Sequence, residues 1–211
     1  GQLFFGPYVA LCKVHESLVR GLMNRGEKLE SGTANSDLAG HLTDQRRYTH
    51  EDKKWFIREF KPYVDWYVKG ALEWTGHKLE QETSFTLMDL WINYMKAHEY
   101  NPEHYHGGQL SWVIFCKTPD VKQEQKSFEG TSPPPGTLVF HYGEPQHPKW
   151  ADHTFNYEPQ EYHMWMFPAQ LRHQVIPFHT KGTRISVSGN LYFNQPGSPD
   201  DISQEPNQIN G

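Results

Sequence analysis

Two stretches of this chain carry side chains whose types and spacing suit metal chemistry. The first is Asn101-Pro102-Glu103-His104-Tyr105-His106; the second runs from Arg172-His173-Gln174 to Thr183-Arg184-Ile185-Ser186. On an extended strand, residues two apart share a face, so His104 and His106 aim both imidazoles at one point. A third imidazole must come from elsewhere. His173 is the candidate, because it sits on the strand-like run Leu171, His173, Val175, Pro177 and is followed by a turn and a strand bearing Arg184. Neutral imidazoles are ligands for transition metals. A guanidinium stays charged and grips a carboxylate with two parallel hydrogen bonds. The pattern is that of a metal site with a carboxylate clamp beside it.

The strand that carries the clamp has two distinct faces. From Thr183 to Phe193 one parity reads Ile185, Val187, Gly189, Leu191, Phe193, and the other Arg184, Ser186, Ser188, Asn190, Tyr192. On a surface sheet the polar face would meet water. In a barrel or sandwich holding a polar ligand it looks inward. With a turn at residues 179–182, the two runs form a hairpin that pairs His173 with Ser188. Arg184 then lies about 13 Å from His173 along the strand, a gap that a metal-bound five-carbon diacid and the arm of the arginine can span.

The elements that must position these groups follow from periodicity. Residues 6–11 read as a short strand with Pro7 near its edge. Val14, Leu18, Val19, Leu22 and Met23 keep helical spacing, and that helix stops near Gly26. The polar stretch 29–48 is a loop over the site. Thr49 and Asp52 form a capping pair for a second amphipathic helix, kinked or split at Pro62 and ended at Gly76. From Phe85 the period becomes two, so a long strand is expected. Further strands are read at 110–116, 137–142, 162–167, 171–177 and 183–193, with residues 121–135 a polar excursion and 149–160 a loop holding at most one strand. Trp91, Trp112 and Trp165 are assigned to core packing ahead of the alternative that they line the mouth of the site, and the histidines outside the three candidates to surface or packing positions. The whole is mainly β with flanking α, in one domain over residues 1–194: a helical flank at 1–82, a β body at 83–194 and a flexible polar tail at 195–211.

Composition bounds the rest. Twenty Lys and Arg against 25 Asp and Glu give a net charge of −5 and no basic stripe, which argues against a nucleic-acid groove. Cys12 and Cys116 stand far apart, unlike a disulfide framework or a CxxC site. No apolar run reaches the length of a membrane span, and residues 1–6 lack the charged start and apolar core of a signal peptide, so a soluble, cytoplasmic protein is expected.

The run Leu90-Trp91-Ile92-Asn93, then Tyr100 through Gly108 to Leu110-Ser111, resembles the front motif of a group of 2-oxoglutarate- and Fe(II)-dependent oxygenases of bacteria and marine phages. Met166-Phe167-Pro168, His173, Val175, Pro177, Arg184 to Ser188 and Asn190 resemble its back motif. The resemblance covers residues 86–193 and implies a double-stranded β-helix, or jelly roll, with helices packed on one sheet. It implies His104, His106 and His173 as Fe(II) ligands, Arg184 with Ser186 as the seat of the distal carboxylate of 2-oxoglutarate, and Tyr94 as a weaker partner for that carboxylate. It departs from the wider superfamily at His106, where most members carry Asp or Glu; Glu103 is the nearest spare carboxylate and needs a bulge to turn inward. The activity implied is decarboxylation of 2-oxoglutarate to succinate and CO2, coupled through O2 to hydroxylation of a peptidyl side chain such as proline, or of a small molecule. A metal-binding cupin or ligand-binding jelly roll without oxygenase activity is the alternative, and a structural β-sandwich a third; a fixed cation at Arg184 separates the oxygenase from the cupin, and the sandwich predicts no metal in elemental analysis.

Overall fold

A computed structural model describes residues 6–77, 83–143 and 153–194. Two antiparallel sheets face each other, and two helices cover the outer face of the larger one. The larger sheet contains β1 (Ala10–Lys13), β2 (Gln45–Arg47), β3 (Phe85–Lys96), β5 (Leu110–Lys117), β8 (His163–Pro168) and β10 (Thr183–Phe193), in the order β1-β8-β5-β10-β3-β2. The smaller contains β4 (Asn101–His104), β6 (Leu138–His141), β7 (Thr154–Tyr157) and β9 (Arg172–Val175), in the order β4-β9-β6-β7. From β3 to β6, and again from β7 to β10, each strand lies in the sheet opposite its predecessor, which is the double-stranded β-helix expected from the resemblance; β1 and β2 extend the larger sheet at its two edges.

The outer face of the larger sheet is apolar because one parity of every long strand is apolar. Leu90 and Ile92 of β3, Leu110, Trp112 and Ile114 of β5, Met164 and Met166 of β8 and Ile185 and Val187 of β10 are buried in one cluster with the helices. Helix α1 (Glu16–Gly26) contributes Leu18, Val19 and Leu22, and α2 (His50–Trp74) contributes Phe56, Phe60, Val64 and Tyr67. Phe60 lies with its ring 4.4 Å from that of Trp112, the closest aromatic contact of this layer.

The ends of α2 are set by its own sequence. Thr49 accepts from the backbone N–H of Asp52 while the Asp52 carboxylate accepts from the backbone N–H of Thr49, a reciprocal cap. At the other end Gly76 takes a φ of +76°, and His77 N–H donates to the Leu72 carbonyl. Pro62 does not split the helix, which runs unbroken through it. The apolar face packed on the sheet outweighs one lost backbone hydrogen bond.

Between the sheets lies a second cluster: Val113, Phe115, Trp165 and Phe167 from the larger sheet against Leu138, Phe140, Tyr157 and Val175 from the smaller. This interior is apolar over one half of the barrel. The other half, lined by β2, β3, β10, β4 and β9, holds the polar residues.

Several boundaries differ from the sequence reading. The first strand is β1 at Ala10–Lys13, paired with β8, rather than residues 6–11. The polar stretch 29–48 contributes β2, paired with β3 at its edge, and the excursion 121–135 contains a short helix α3 (Lys122–Lys126). The expected hairpin of residues 171–193 does not form. β9 pairs with β4 and β6, while β10 pairs with β3 and β5, so the two strands belong to opposite sheets. The connection crosses because Phe178 is buried between the sheets, and Glu124 of α3 accepts from the backbone N–H groups of His179 and Thr180 at 2.9–3.0 Å. A tight hairpin turn would have left Phe178 in water. The tail from 195 onward lies outside the described residues.

Candidate metal centre and carboxylate cleft

His104 closes β4, and the register sets it directly opposite His173 on β9, across one antiparallel pair. His106 lies two residues beyond the end of β4, held there by its backbone N–H donating to the Ala169 carbonyl at 2.9 Å. The three rings converge. Their centroids are 4.3 Å (His104 to His173), 4.9 Å (His104 to His106) and 5.0 Å (His106 to His173) apart, and one nitrogen from each lies within 4.8 Å of the others. It is the only such group of three His, Cys, Asp or Glu among the described residues.

Two backbone contacts orient the rings for metal. Nδ1 of His104 lies 2.7 Å from the Pro102 carbonyl, and Nδ1 of His173 lies 2.8 Å from the Leu171 carbonyl. A carbonyl only accepts, so each Nδ1 carries the proton and each Nε2 keeps its lone pair. That is the arrangement by which a protein holds a metal-ligating imidazole. Burial keeps all three rings neutral: it pushes His104 down, takes His106 down to about 3 with help from neighbouring His104, and takes His173 well below the ordinary histidine range. The donor set therefore fits a divalent ion as three neutral ligands, His106 included. Glu103 does not join them. The register of β4 and β9 shifts between Asn101 and His104, but the Glu103 carboxylate stays outside, 2.9 Å from Nη1 of Arg172.

The triad opens on a cleft that encloses about 620 Å³, solvent at its mouth included. Its walls are one parity of the larger sheet: Trp91, Asn93 and Met95 of β3 and Arg184, Ser186 and Ser188 of β10. The polar face of β10 thus does turn inward. Leu38 to Gly40 and Leu42 of the loop before β2 cover the side, as the sequence reading placed that loop.

Arg184 is 3% exposed. Its Nη1 donates to the Gly136 carbonyl at 3.1 Å, and its guanidinium carbon stands 4.9 Å above the Phe115 ring. Burial lowers its pKa to about 10, which leaves it charged at neutral pH. Among the described residues no carboxylate lines the cleft. A buried cation facing three neutral rings, with one carbonyl for five N–H donors, has a deficit of negative charge that an anion fills.

Tyr94 is not part of this cleft. It pairs with Ile185, on the parity opposite to Asn93 and Met95, and packs in the outer cluster beneath the helices with Arg46 4.4 Å above its ring. The expectation that it meets the co-substrate is corrected by one residue of parity: Asn93, opposite Ser186, faces inward in its place. Trp91 is buried, and of its two expected uses it takes the cleft wall, with its ring 5.5 Å from that of His106. Sequence reasoning missed Gln45, Asn93 and Asn101, all cleft-lining. The alternation of β3 could have identified Asn93; nothing in the stretch around Gln45 marked it as a strand.

Residues 89–190 match the model of a family described as putative 2OG-Fe(II) oxygenases. No curated protein matches the chain. Among solved structures it is similar to a prolyl-4-hydroxylase of Pseudomonas putida, at 14% identity and a TM-score of 0.52, over 90% of this chain and 93% of that one. It is similar to HygX of Streptomyces hygroscopicus, solved with nickel and 2-oxoglutarate bound, at 10% identity and 0.52, over 87% and 82%. It is also similar to a prolyl hydroxylase of Trichoplax adhaerens in complex with a hypoxia inducible factor peptide fragment, at 9% identity and 0.50, over 88% and 82%. At these identities the likeness to the solved structures is one of fold. The matched residues span both halves of the histidine triad and the buried arginine, so over this region the chain is similar to a family described by its use of 2-oxoglutarate and Fe(II).

Proposed function

We propose that the chain is a hydroxylase that couples decarboxylation of 2-oxoglutarate to oxidation of a C–H bond, with a peptidyl side chain such as proline as the substrate class. The observation that carries the reading is the shared cleft. Three imidazoles with lone pairs turned to one point and an arginine without a carboxylate partner line the same wall system. A metal cupin has use for the first and none for the second.

His104, His106 and His173 would hold Fe(II), which supplies the activation of O2 when bound. With only three protein ligands, the ion would keep positions open for the co-substrate. Arg184 would take the far carboxylate of 2-oxoglutarate, with Ser186 beside it on the same face of β10. With His106 in place of a carboxylate, the site would be one unit more positive, which would favour a dianionic co-substrate. Trp91, Met95, Val113 and Phe167 exclude water around the reacting groups. The fold likeness to two prolyl hydroxylases supports the peptidyl class.

The test is direct. Purified chain supplied with Fe(II) and O2 converts 2-oxoglutarate to succinate, slowly without a second substrate and faster with a proline-containing peptide. Loss of one charged hydrogen-bond partner costs about 1.5–3 kcal/mol, so Arg184→Ala weakens 2-oxoglutarate binding roughly 10- to 150-fold. An unchanged dissociation constant by calorimetry would defeat the assignment.

A further inference from the structure

The cleft contains one buried acceptor that 2-oxoglutarate has no means to satisfy. Gln45 is 1% exposed and lines the cleft from β2. Its Nε2 donates to Asn93 Oδ1 at 2.8 Å, and Asn93 Nδ2 donates in turn to Ser186 Oγ at 3.4 Å. Its Oε1 has no hydrogen-bond partner. The side chain is not there by accident of a loose loop, since its backbone N–H donates to Asn35 Oδ1 at 2.9 Å and its carbonyl accepts from Ala34 at 3.0 Å. An unpaired buried carbonyl oxygen costs about 1–3 kcal/mol. A ligand that brings a donor to it would relieve that cost.

At neutral pH 2-oxoglutarate carries only acceptors. A ligand group that meets Gln45 Oε1 brings an N–H or O–H, which the second substrate can supply and the co-substrate cannot. Asn101, at the start of β4, completes the wall. A Cβ on Gly40 would collide with Asn101 Oδ1 and lie 3.1 Å from Gln45 Nε2, so the two carboxamides flank the same glycine. Asn101 makes no side-chain hydrogen bond among the described residues, and with its Oδ1 toward Gly40 its Nδ2 is a free donor. One free acceptor and one free donor, on carboxamides that flank the same glycine, are the complement of a secondary amide, which presents an N–H and a C=O.

We propose that Gln45 and Asn101 form a subsite that binds a secondary amide of the second substrate, Gln45 accepting its N–H and Asn101 donating to its carbonyl. This deepens the oxygenase reading and rests on it. It makes Gln45 a residue that selects substrates, distinct from the arginine that selects the co-substrate.

The experiment uses the full chain loaded with redox-silent Mn(II) and saturating 2-oxoglutarate. The probes are N-acetylproline N-methylamide and N-acetylproline N,N-dimethylamide, which differ by the single amide N–H. Calorimetry should give at least tenfold tighter binding of the N-methylamide to the native chain. In Gln45→Met that preference should fall below twofold, while 2-oxoglutarate affinity moves less than twofold. Should Gln45→Met not fold, Asn101→Leu still decides: it should weaken both probes about tenfold and keep their ratio. Equal binding of the two probes by the native chain, binding of neither, or a tenfold loss of 2-oxoglutarate affinity in Gln45→Met with the probe ratio kept would overturn the subsite. Failure of the oxygenase reading itself looks different, because 2-oxoglutarate would then not bind the Mn(II)-loaded native chain at all.

Discussion

At the scale of single residues, the site is a problem in charge and lone pairs. The backbone carbonyls of Pro102 and Leu171 choose the tautomer of His104 and His173, and burial keeps the rings neutral, so metal binding needs no proton to leave. Removal of the most buried ligand should therefore abolish the centre: His173→Ala, measured by elemental analysis after Fe(II) or Mn(II) loading, should retain less than a tenth of the native metal content. His106→Asp tests the departure from the carboxylate-bearing superfamily. It should still bind metal, because Asp supplies an oxygen ligand of the kind the two-histidine, one-carboxylate centre uses. Tyr94 supplies the opposite control. Its buried hydroxyl has no partner and lies on the helix side of β3, so Tyr94→Phe should leave 2-oxoglutarate affinity within twofold and thermal stability unchanged or slightly raised. A large loss of affinity in that variant would restore the original assignment of the tyrosine.

At the scale of elements, the paired faces of β3 and β10 do two tasks at once. One parity anchors the helices and the other lines the cleft, so a shift of one residue in their register would bury Tyr94 in the site and turn Arg184 into the helix layer. Gly189 guards that register where β5 and β3 both meet β10: a Cβ there would strike Trp112 and come within 2.6 Å of the Asp89 carbonyl. Gly189→Ala should destabilise the protein by about 1–3 kcal/mol through overpacking, read as a fall in urea midpoint. At the start of α2, Thr49→Ala removes half of the reciprocal cap and should cost about 1 kcal/mol, with catalysis per folded molecule unaffected. Helix α3 has a structural use out of proportion to its five residues, because Glu124 fixes the crossing from β9 to β10 and thereby the sheet on which Arg184 lies.

At the scale of the molecule, the barrel is divided into an apolar half that carries stability and a polar half that carries chemistry. The second cluster fills one side, and the triad, the arginine and the carboxamides share the other. The three histidines come from β4, the segment after it and β9, so an ion held by them would cross-link the small sheet at the point where β4 forms its edge. Metal should consequently raise the melting temperature, by the equivalent of about 2.7 kcal/mol at 100 times its dissociation constant. Chelation with EDTA should reverse the rise in the native chain and have no effect in His173→Ala. Metal-independent melting of the native chain would mean that the three rings hold no ion.

What the sequence determined by itself were the features of short range. The period-two runs marked most of the long strands, the Thr49 and Asp52 pair marked the start of α2, and His104 with His106 lay close enough along the chain for spacing to bring them together. The polar parity of residues 184–190 announced an inward face, since such alternation has only two faces to choose from. What the tertiary structure decided were the relations between distant segments. Whether 171–193 closed as a hairpin or crossed between sheets depended on where Phe178 could be buried and on what held residues 179–180, neither of which is local to the turn. The side of β3 on which Tyr94 fell depended on the register with β10, and the strand at Gln45 existed only because β3 offered an edge to pair with. Local pattern fixes which side chains share a face; only long-range packing fixes what that face looks at.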